Sequence, residues 1–388
     1  MNAHDFATLP QMCATPKTAL APIRRQPTEA VRRIQKAWTL GLRLGTSLIL
    51  MGLASVSVAS DLPVSAGAAP RASVTGLPVA PLVQIDCPNF LKLAGDYQRR
   101  FQAPMRSWSV EHLSRHGTRK VLYPFSGPDV ITALSLFGTA DHLILVADQA
   151  VDVNVTARAS PQQIEEECRI QSFFARLGYF RTLDLDGRGA IRPRLEKKLV
   201  YSILISGSSI NRAVALRLNA MGQSEEIEAG SATPHDGLRF QITTADRRLV
   251  TVDYLRINLA NAALKPDSVQ RKFLANHMAA TVFVKSASHL LQRGHFSILA
   301  NMIAQQARVL VQDETGLDID LIKQHFRVEA HGRFNQPHPI WKDSASGLRL
   351  RDLLSTQPAI AQLPFVMGYE KPSGSILLIG TRINPSSK

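Results

Sequence analysis

The chain has 388 residues and carries 45 Lys and Arg against 31 Asp and Glu, a formal net charge of +14. That excess is scattered, with no run of Lys and Arg interleaved with aromatic residues, which argues against a nucleic-acid partner. The three cysteines form neither a C-x-x-C pair nor a Cys/His cluster, so a zinc site lacks ligands.

Residues 1–60 read as an export leader. Arg24, Arg25, Arg32, Arg33, Lys36 and Arg43 precede the apolar run Leu44–Ala59, and small residues lead out to Ser60-Asp61. A positive region, a short apolar core and a small-residue exit describe a signal peptide. The run has 16 residues, short of the roughly 20 that a spanning helix prefers. Two outcomes stay open: cleavage near Ala59 or Ser60, giving a periplasmic or secreted protein, or an inner-membrane anchor through 44–59. Neither arginine pair is followed by the Phe and Leu of a twin-arginine signal. Residues 61–82, rich in Ala, Pro, Ser and Gly, read as a flexible tether.

Removing residues 1–60 takes away seven Lys/Arg and two Asp/Glu, which leaves +9 on 61–388. The densest positive set, Arg188, Arg192, Arg194, Lys197 and Lys198, is expected to be a solvated surface, with weak affinity for an anionic envelope or membrane surface. Cys13 lies in the leader. Cys87 and Cys168 remain, and an oxidising compartment predicts a disulfide between them.

Along the mature chain, Gln84–Gln102 reads as irregular or helical, with Phe90, Leu91, Leu93 and Tyr97 available for a core. Arg119–Asp148 reads as strand, tight turn, short helix and second strand, a complete βαβ unit. Ser160-Pro161 opens a helix to about Leu177, with Ser160 as N-cap. Lys198–Ile205 reads as a strand, and Ser206–Ser209 as a turn before a helix to about Met221. Leu238–Thr244 and Leu249–Leu259 alternate as a hairpin. Helices are expected around His277–Leu291 and Ser297–Gln306, then strands at Arg308–Gln312, Arg327–Gly332 and Ser375–Ile383. The alternation predicts a single α/β domain over 83–388 with a mixed sheet.

The turn Ser126-Gly127-Pro128-Asp129 is where a site is expected, because ligands of α/β sheets sit at the carboxyl ends of the strands. Ser126 and Asp129 have capping-box spacing and Pro128 suits a helix's first turn, which explains the four residues structurally. A nucleotide or S-adenosylmethionine pocket would use Gly127 for close approach and Asp148 for ribose hydroxyls. Against a phosphate there, Pro128 removes a donor and Asp129 adds negative charge. A serine hydrolase would use Ser126 as nucleophile, with a base from His277, His289 or His295 and an acid from Asp313 or Glu314. Neither glycine of G-x-S-x-G is in place, since Pro124 and Pro128 occupy both positions.

Two other segments complete the reading. Asp184–Gly189 has the first positions of a calcium loop, but Arg188, Arg192 and Leu195 stand where ligands belong, so a turn is expected. Lys285 falls in a largely apolar expected helix, where it must reach solvent or a carboxylate, and Asp313 is the expected partner.

The motifs Y-P-F-S-G-P-D, F-V-K-S-A-S-H-L-L, V-Q-D-E-T-G and L-P-F-V-M-G-Y, spread over 110–383, resemble a family of uncharacterised secreted bacterial proteins. The resemblance implies one domain and brings no reaction with it. The chain departs from that family after the second strand, where Val146-Ala147-Asp148-Gln149 replaces an acidic Gly-Leu-Glu-Pro-like stretch.

The sequence therefore points to an exported binding or envelope-associated module with a candidate site of Ser126, Gly127, Asp129, Asp148, Lys285 and Asp313. A serine hydrolase using Ser126 is the alternative, and a Rossmann-like methyltransferase-type fold the second. No cofactor is expected.

Overall fold

A helical arm precedes the first strand. The computed structural model describes residues 76–77, 79, 84–85, 87–147, 160–178, 180, 195–228, 235–285, 289–337, 343–367 and 375–383, all within the unit Arg71–Lys388. Helix α1 (Phe90–Tyr97) passes through a π turn at Gln98–Gln102 into α2 (Ala103–His112). Phe90, Ala94, Tyr97, Phe101, Met105 and Trp108 recur at helical spacing and are all buried, which gives the arm one apolar stripe to lay on the sheet. Leu91, expected in the core, falls on the opposite face and is 84% exposed.

The βαβ unit follows as expected: β1 (Lys120–Pro124), α3 (Val130–Leu136) and β2 (His142–Ala147), with β1 and β2 parallel. The other elements in chain order are α4 (Pro161–Leu177), α5 (Leu195–Ile205), β3 (Ser209–Leu218), β4 (Ser224–Ile227), β5 (Gly237–Thr243) and β6 (Leu249–Arg256). Then come α6 (Val269–Met278), β7 (Thr281–Val284), α7 (Ser297–Gln306), β8 (Val309–Gln312), α8 (Ile319–His325), β9 (Phe326–Gly332), α9 (Ala345–Thr356) and β10 (Ile376–Arg382).

One mixed ten-stranded sheet runs in the order β4-β3-β5-β6-β2-β1-β7-β8-β10-β9. Strands β6, β2, β1, β7 and β8 are parallel. β5, β3 and β4 continue antiparallel on one side, and β10 stands antiparallel between β8 and β9 on the other. From β1 the chain turns one way to β2, and β7 and β8 lie on the other side, so the order reverses between β1 and β7.

Two apolar cores sandwich the sheet. Val121, Leu143, Phe283 and Val311 face one with the helical arm, α4 and α5. Leu122, Ile144, Val282 and Leu310 face the other with α6, α7 and α8. Burial on both faces is why these strands read as continuous apolar runs. Within the first core Phe174 stacks between Tyr97 and Phe180, at centroid distances of 5.1 and 4.2 Å. Cys87 and Cys168 are bonded, Cα atoms 5.3 Å apart, and tie the start of the arm to α4.

Three expected elements differ. Lys198–Ile205 is the end of helix α5, not a strand, and Lys197 and Lys198 are buried rather than on a solvated surface. A short apolar run buried all round carries no period that separates the two. Ser209–Leu218 is strand β3, not a helix, since a seven-position ladder with β5 overrides its alanine and leucine content. The helix expected over His277–Leu291 ends at Met278, and Thr281-Val282-Phe283-Val284 forms β7, as β-branched and aromatic residues favour.

Leu77, in the expected tether, makes an antiparallel bridge to Ala213. The leader, Arg188, Arg192, Arg194 and the turn Asp184–Gly189 lie outside the described residues. Among the described residues no helix is long and apolar enough to cross a membrane.

Candidate functional site at the carboxyl edge

The strand order reverses between β1 and β7, and the segments that end these strands meet at the carboxyl edge. After Pro124 the backbone turns sharply. Phe125 has φ 57° and Gly127 φ 50°, left-handed values that a glycine adopts freely and a phenylalanine holds only under surrounding constraint. The Ser126 amide donates to Val146 O at 3.1 Å, which folds the turn back over β2. The expected capping box is replaced by a simpler cap: Asp129 itself is the N-cap of α3, accepting at Oδ1 from the Thr132 amide (3.4 Å) and hydroxyl (2.7 Å).

The other oxygen of Asp129 faces Lys285. Because β7 is a strand, Lys285 sits directly after its last paired residue, next to β1. Its Nζ donates to Asp129 Oδ2 at 2.8 Å and to Gly178 O at 3.1 Å, at the left-handed end of α4. A cation at a helix's carboxyl end is favoured by its exposed carbonyls. The Tyr123 hydroxyl contacts Asp129 Oδ2 (3.2 Å) and Lys285 O (3.4 Å), and its ring packs on Phe283. Burial, then the Asp129 charge, push the Tyr123 phenol well above its usual range.

Asp313 belongs to the same edge but is not the ion-pair partner of Lys285; that partner is Asp129. Asp313 Oδ1 accepts from the Thr315 amide (2.9 Å) and hydroxyl (2.5 Å). Its Oδ2 and both carboxyl oxygens of the neighbouring Glu314 are buried and make no well-formed hydrogen bond among the described residues, although the Glu314 backbone amide lies near enough to its own carboxyl to oppose its rise. Burial raises the Asp313 carboxyl to about 6, with Thr315 and Lys285 opposing and Asp129 adding to the rise. Burial, then the Asp313 charge, raise Glu314 well above the usual range.

The edge thus brings together Ser126, Gly127, Asp129, Lys285 and Asp313, with Asp148 outside the described residues. It adds Tyr123, Thr132, Gly178 and Glu314, which the sequence reading did not place in the ligand site. Tyr123 lay inside the quoted motif, next to Pro124, and its alternation with Val121 on one face of β1 was the available signal.

Ser126 Oγ donates to Gly127 O (2.9 Å) and Val146 O (3.4 Å), and among the described residues no histidine bonds to it. His289 Nδ1 is paired with Gln292 Oε1 at 3.1 Å. His277 feels Lys120 and His142, the first residues of β1 and β2, which sets it at the opposite, amino edge. The main chain of His295 holds the Asn261 amide.

A cleft of about 270 Å³ also opens at the amino edge, lined by Arg106, Val110, Leu113, Phe137 and Arg248. It is far from the polar cluster, and Arg248 is already paired with Asp246. Among the described residues, no group of three His, Cys, Asp or Glu side chains is arranged to hold a metal ion. No protein-family model, curated protein or solved structure matches the chain.

Proposed function

We propose that the chain is an exported α/β binding module, and that it takes its ligand at the carboxyl edge between β1 and β7. The observation that carries this reading is the buried Lys285–Asp129 ion pair, which joins the two strands where their order reverses. Open α/β sheets hold ligands at that position, and costly buried charges with displaced carboxyls cluster at functional sites. Export draws support from the basic and apolar pattern of the leader together with the Cys87–Cys168 bond. Membership of the secreted bacterial family that carries Y-P-F-S-G-P-D is part of the same reading.

A fluorophosphonate probe separates this from the hydrolase alternative. A binding module stays unlabelled, whereas labelling at Ser126 that is lost in Ser126→Ala would replace the reading with acyl chemistry. Edman sequencing of exported protein should begin near Asp61. A start upstream of Leu44 would mean an anchored protein instead.

A second reading has one specific observation behind it. The succession β6-β2-β1-β7-β8-β10-β9, with β10 reversed, is the strand order of Rossmann-like methyltransferases. It concerns the fold alone, because Pro128 and the engaged Asp129 leave no glycine-rich cradle after β1. Equilibrium dialysis with S-adenosylmethionine tests it directly.

A further inference from the structure

We infer that the carboxyl edge binds a ligand through a primary ammonium or guanidinium group, held by Asp313 and Glu314; this rests on the reading of that edge as a ligand site. Lys285 is already engaged by Asp129 Oδ2 and Gly178 O, and Tyr123 by Asp129 and Lys285 O. Asp129 Oδ1 is taken by Thr132, and Asp313 Oδ1 by Thr315. Among the described residues, what is left without a hydrogen bond is carboxyl oxygen: Asp313 Oδ2 and the two oxygens of Glu314. Asp313 is 0% and Glu314 5% exposed, so bulk water does not serve them.

Three carboxyl groups therefore stand against one ammonium. An anionic ligand would meet two carboxyl groups that already ionise only against burial and mutual repulsion. A ligand with hydroxyl donors only would bond to the pair but bring no charge to favour its ionised form. An ammonium, with three donors, or a guanidinium, with five in a planar fork, supplies both the missing hydrogen bonds and the missing charge. The charged and titratable groups facing the pair are Lys285 from the end of β7, Asp129 at the start of α3 and Tyr123 on β1. Without a cation, burial and mutual repulsion hold protons on Asp313 and Glu314. A bound cation favours their ionised forms, so binding releases protons into the solution.

The test uses the full chain, with agmatine as a guanidinium and ammonium probe and tetramethylammonium chloride as a cation without N–H donors. Calorimetry at pH 6 and fixed ionic strength should show saturable agmatine binding. The heat should change with the buffer's ionisation enthalpy by the amount of proton release. Asp313→Asn/Glu314→Gln, which keeps the shape and removes the charge, should weaken agmatine at least tenfold, and Glu314→Gln alone should weaken it in part. Binding no better than tetramethylammonium overturns the inference, and so does an unchanged affinity in the folded double variant. The same carboxylate-dependent signal from calcium chloride would make the site a metal site and overturn it too. If agmatine is silent while neutral adenosine binds and is lost in Asp129→Asn/Lys285→Met, the cation is wrong and the ligand-site reading stands. If neither binds, both fall.

Discussion

Asp253 on β6 and Asp313 at the carboxyl edge are both buried, 2% and 0% exposed, yet their carboxyls are displaced in opposite directions. Burial pushes Asp253 up, but Arg239 donates to it twice, at 2.7 and 2.8 Å, and His142 approaches to 2.9 Å, so its carboxyl ends below the usual range. Arg239 also reaches Glu226, which Arg212 grips with two nitrogens, and Glu226 is lowered as well. Asp313 has one oxygen served by Thr315 and, among the described residues, none paired with a guanidinium or ammonium, and it ends near 6. Depth is therefore not decisive. Donor supply is: the sheet surface over β2, β5 and β6 is a completed ion-pair network, whereas the carboxyl edge has an excess of acceptors.

The largest test breaks the Lys285–Asp129 ion pair at the carboxyl edge. Lys285→Met should cost about 3–5 kcal/mol in urea unfolding, because it strands a buried Asp129. Asp129→Asn/Lys285→Met should cost clearly less than the sum of the single changes, since Asn still caps α3. Additive losses would mean that the two do not act as a pair.

Next in size is the network. Arg239→Met should cost about 2–3 kcal/mol, less than at Lys285 because Arg239 is partly exposed and His142 still serves Asp253. Its pH signature has a definite sign. A carboxyl depressed in the folded state contributes stability above its unfolded value of about 3.9, and that contribution is lost as pH falls through the lower folded value. Arg239→Met should therefore reduce the acid sensitivity of the unfolding midpoint, and an unchanged acid limb would detach Asp253 from Arg239.

The carboxyl edge should behave in the opposite way. The Asp313 carboxyl is raised to about 6, so its contribution is full below about pH 4 and is lost as pH rises towards 6. Asp313→Asn/Glu314→Gln should flatten that decline and add about 1–2 kcal/mol at pH 7 by removing buried charge. A double variant that loses stability at pH 7 would show that these carboxyls have donors after all.

The smallest effect calibrates the scale. Ser160 caps α4 in a reciprocal box with Gln163, using no charge. Ser160→Ala should cost about 1 kcal/mol, equally at pH 4 and pH 7. A pH-dependent loss there would indicate that the slopes at Asp253 and Asp313 reflect global changes rather than the two sites.

The sequence disclosed these regions unequally. The βαβ unit was legible because its apolar runs are bounded by a Gly-Pro turn and the cap of α4 by Ser160-Pro161, local signals that tertiary contacts leave intact. The hairpin of β5 and β6 was legible from its alternation. α5, β3 and β7 were not, because each is decided by burial on all sides or by a ladder partner distant in the chain. That error reached the site: with β7 read as helix, Lys285 seemed to need Asp313, and its true partner Asp129 lies 156 residues away. Ser126, Asp129 and Asp313 were placed at one edge by strand logic and Lys285 only through its supposed partner Asp313, while the true pairing depends on side-chain geometry that spacing does not encode.

The bond between Cys87 and Cys168 spans a sequence separation of 81 and encloses the helical arm, β1, α3 and β2. A single peptide-bond cut inside that loop leaves both fragments covalently joined through the disulfide. Such a nicked chain would migrate as one species on a non-reducing gel and as two after reduction. A protease acting once in this loop could thus sever the backbone without separating the turn at Ser126 from the ends of β7 and β8.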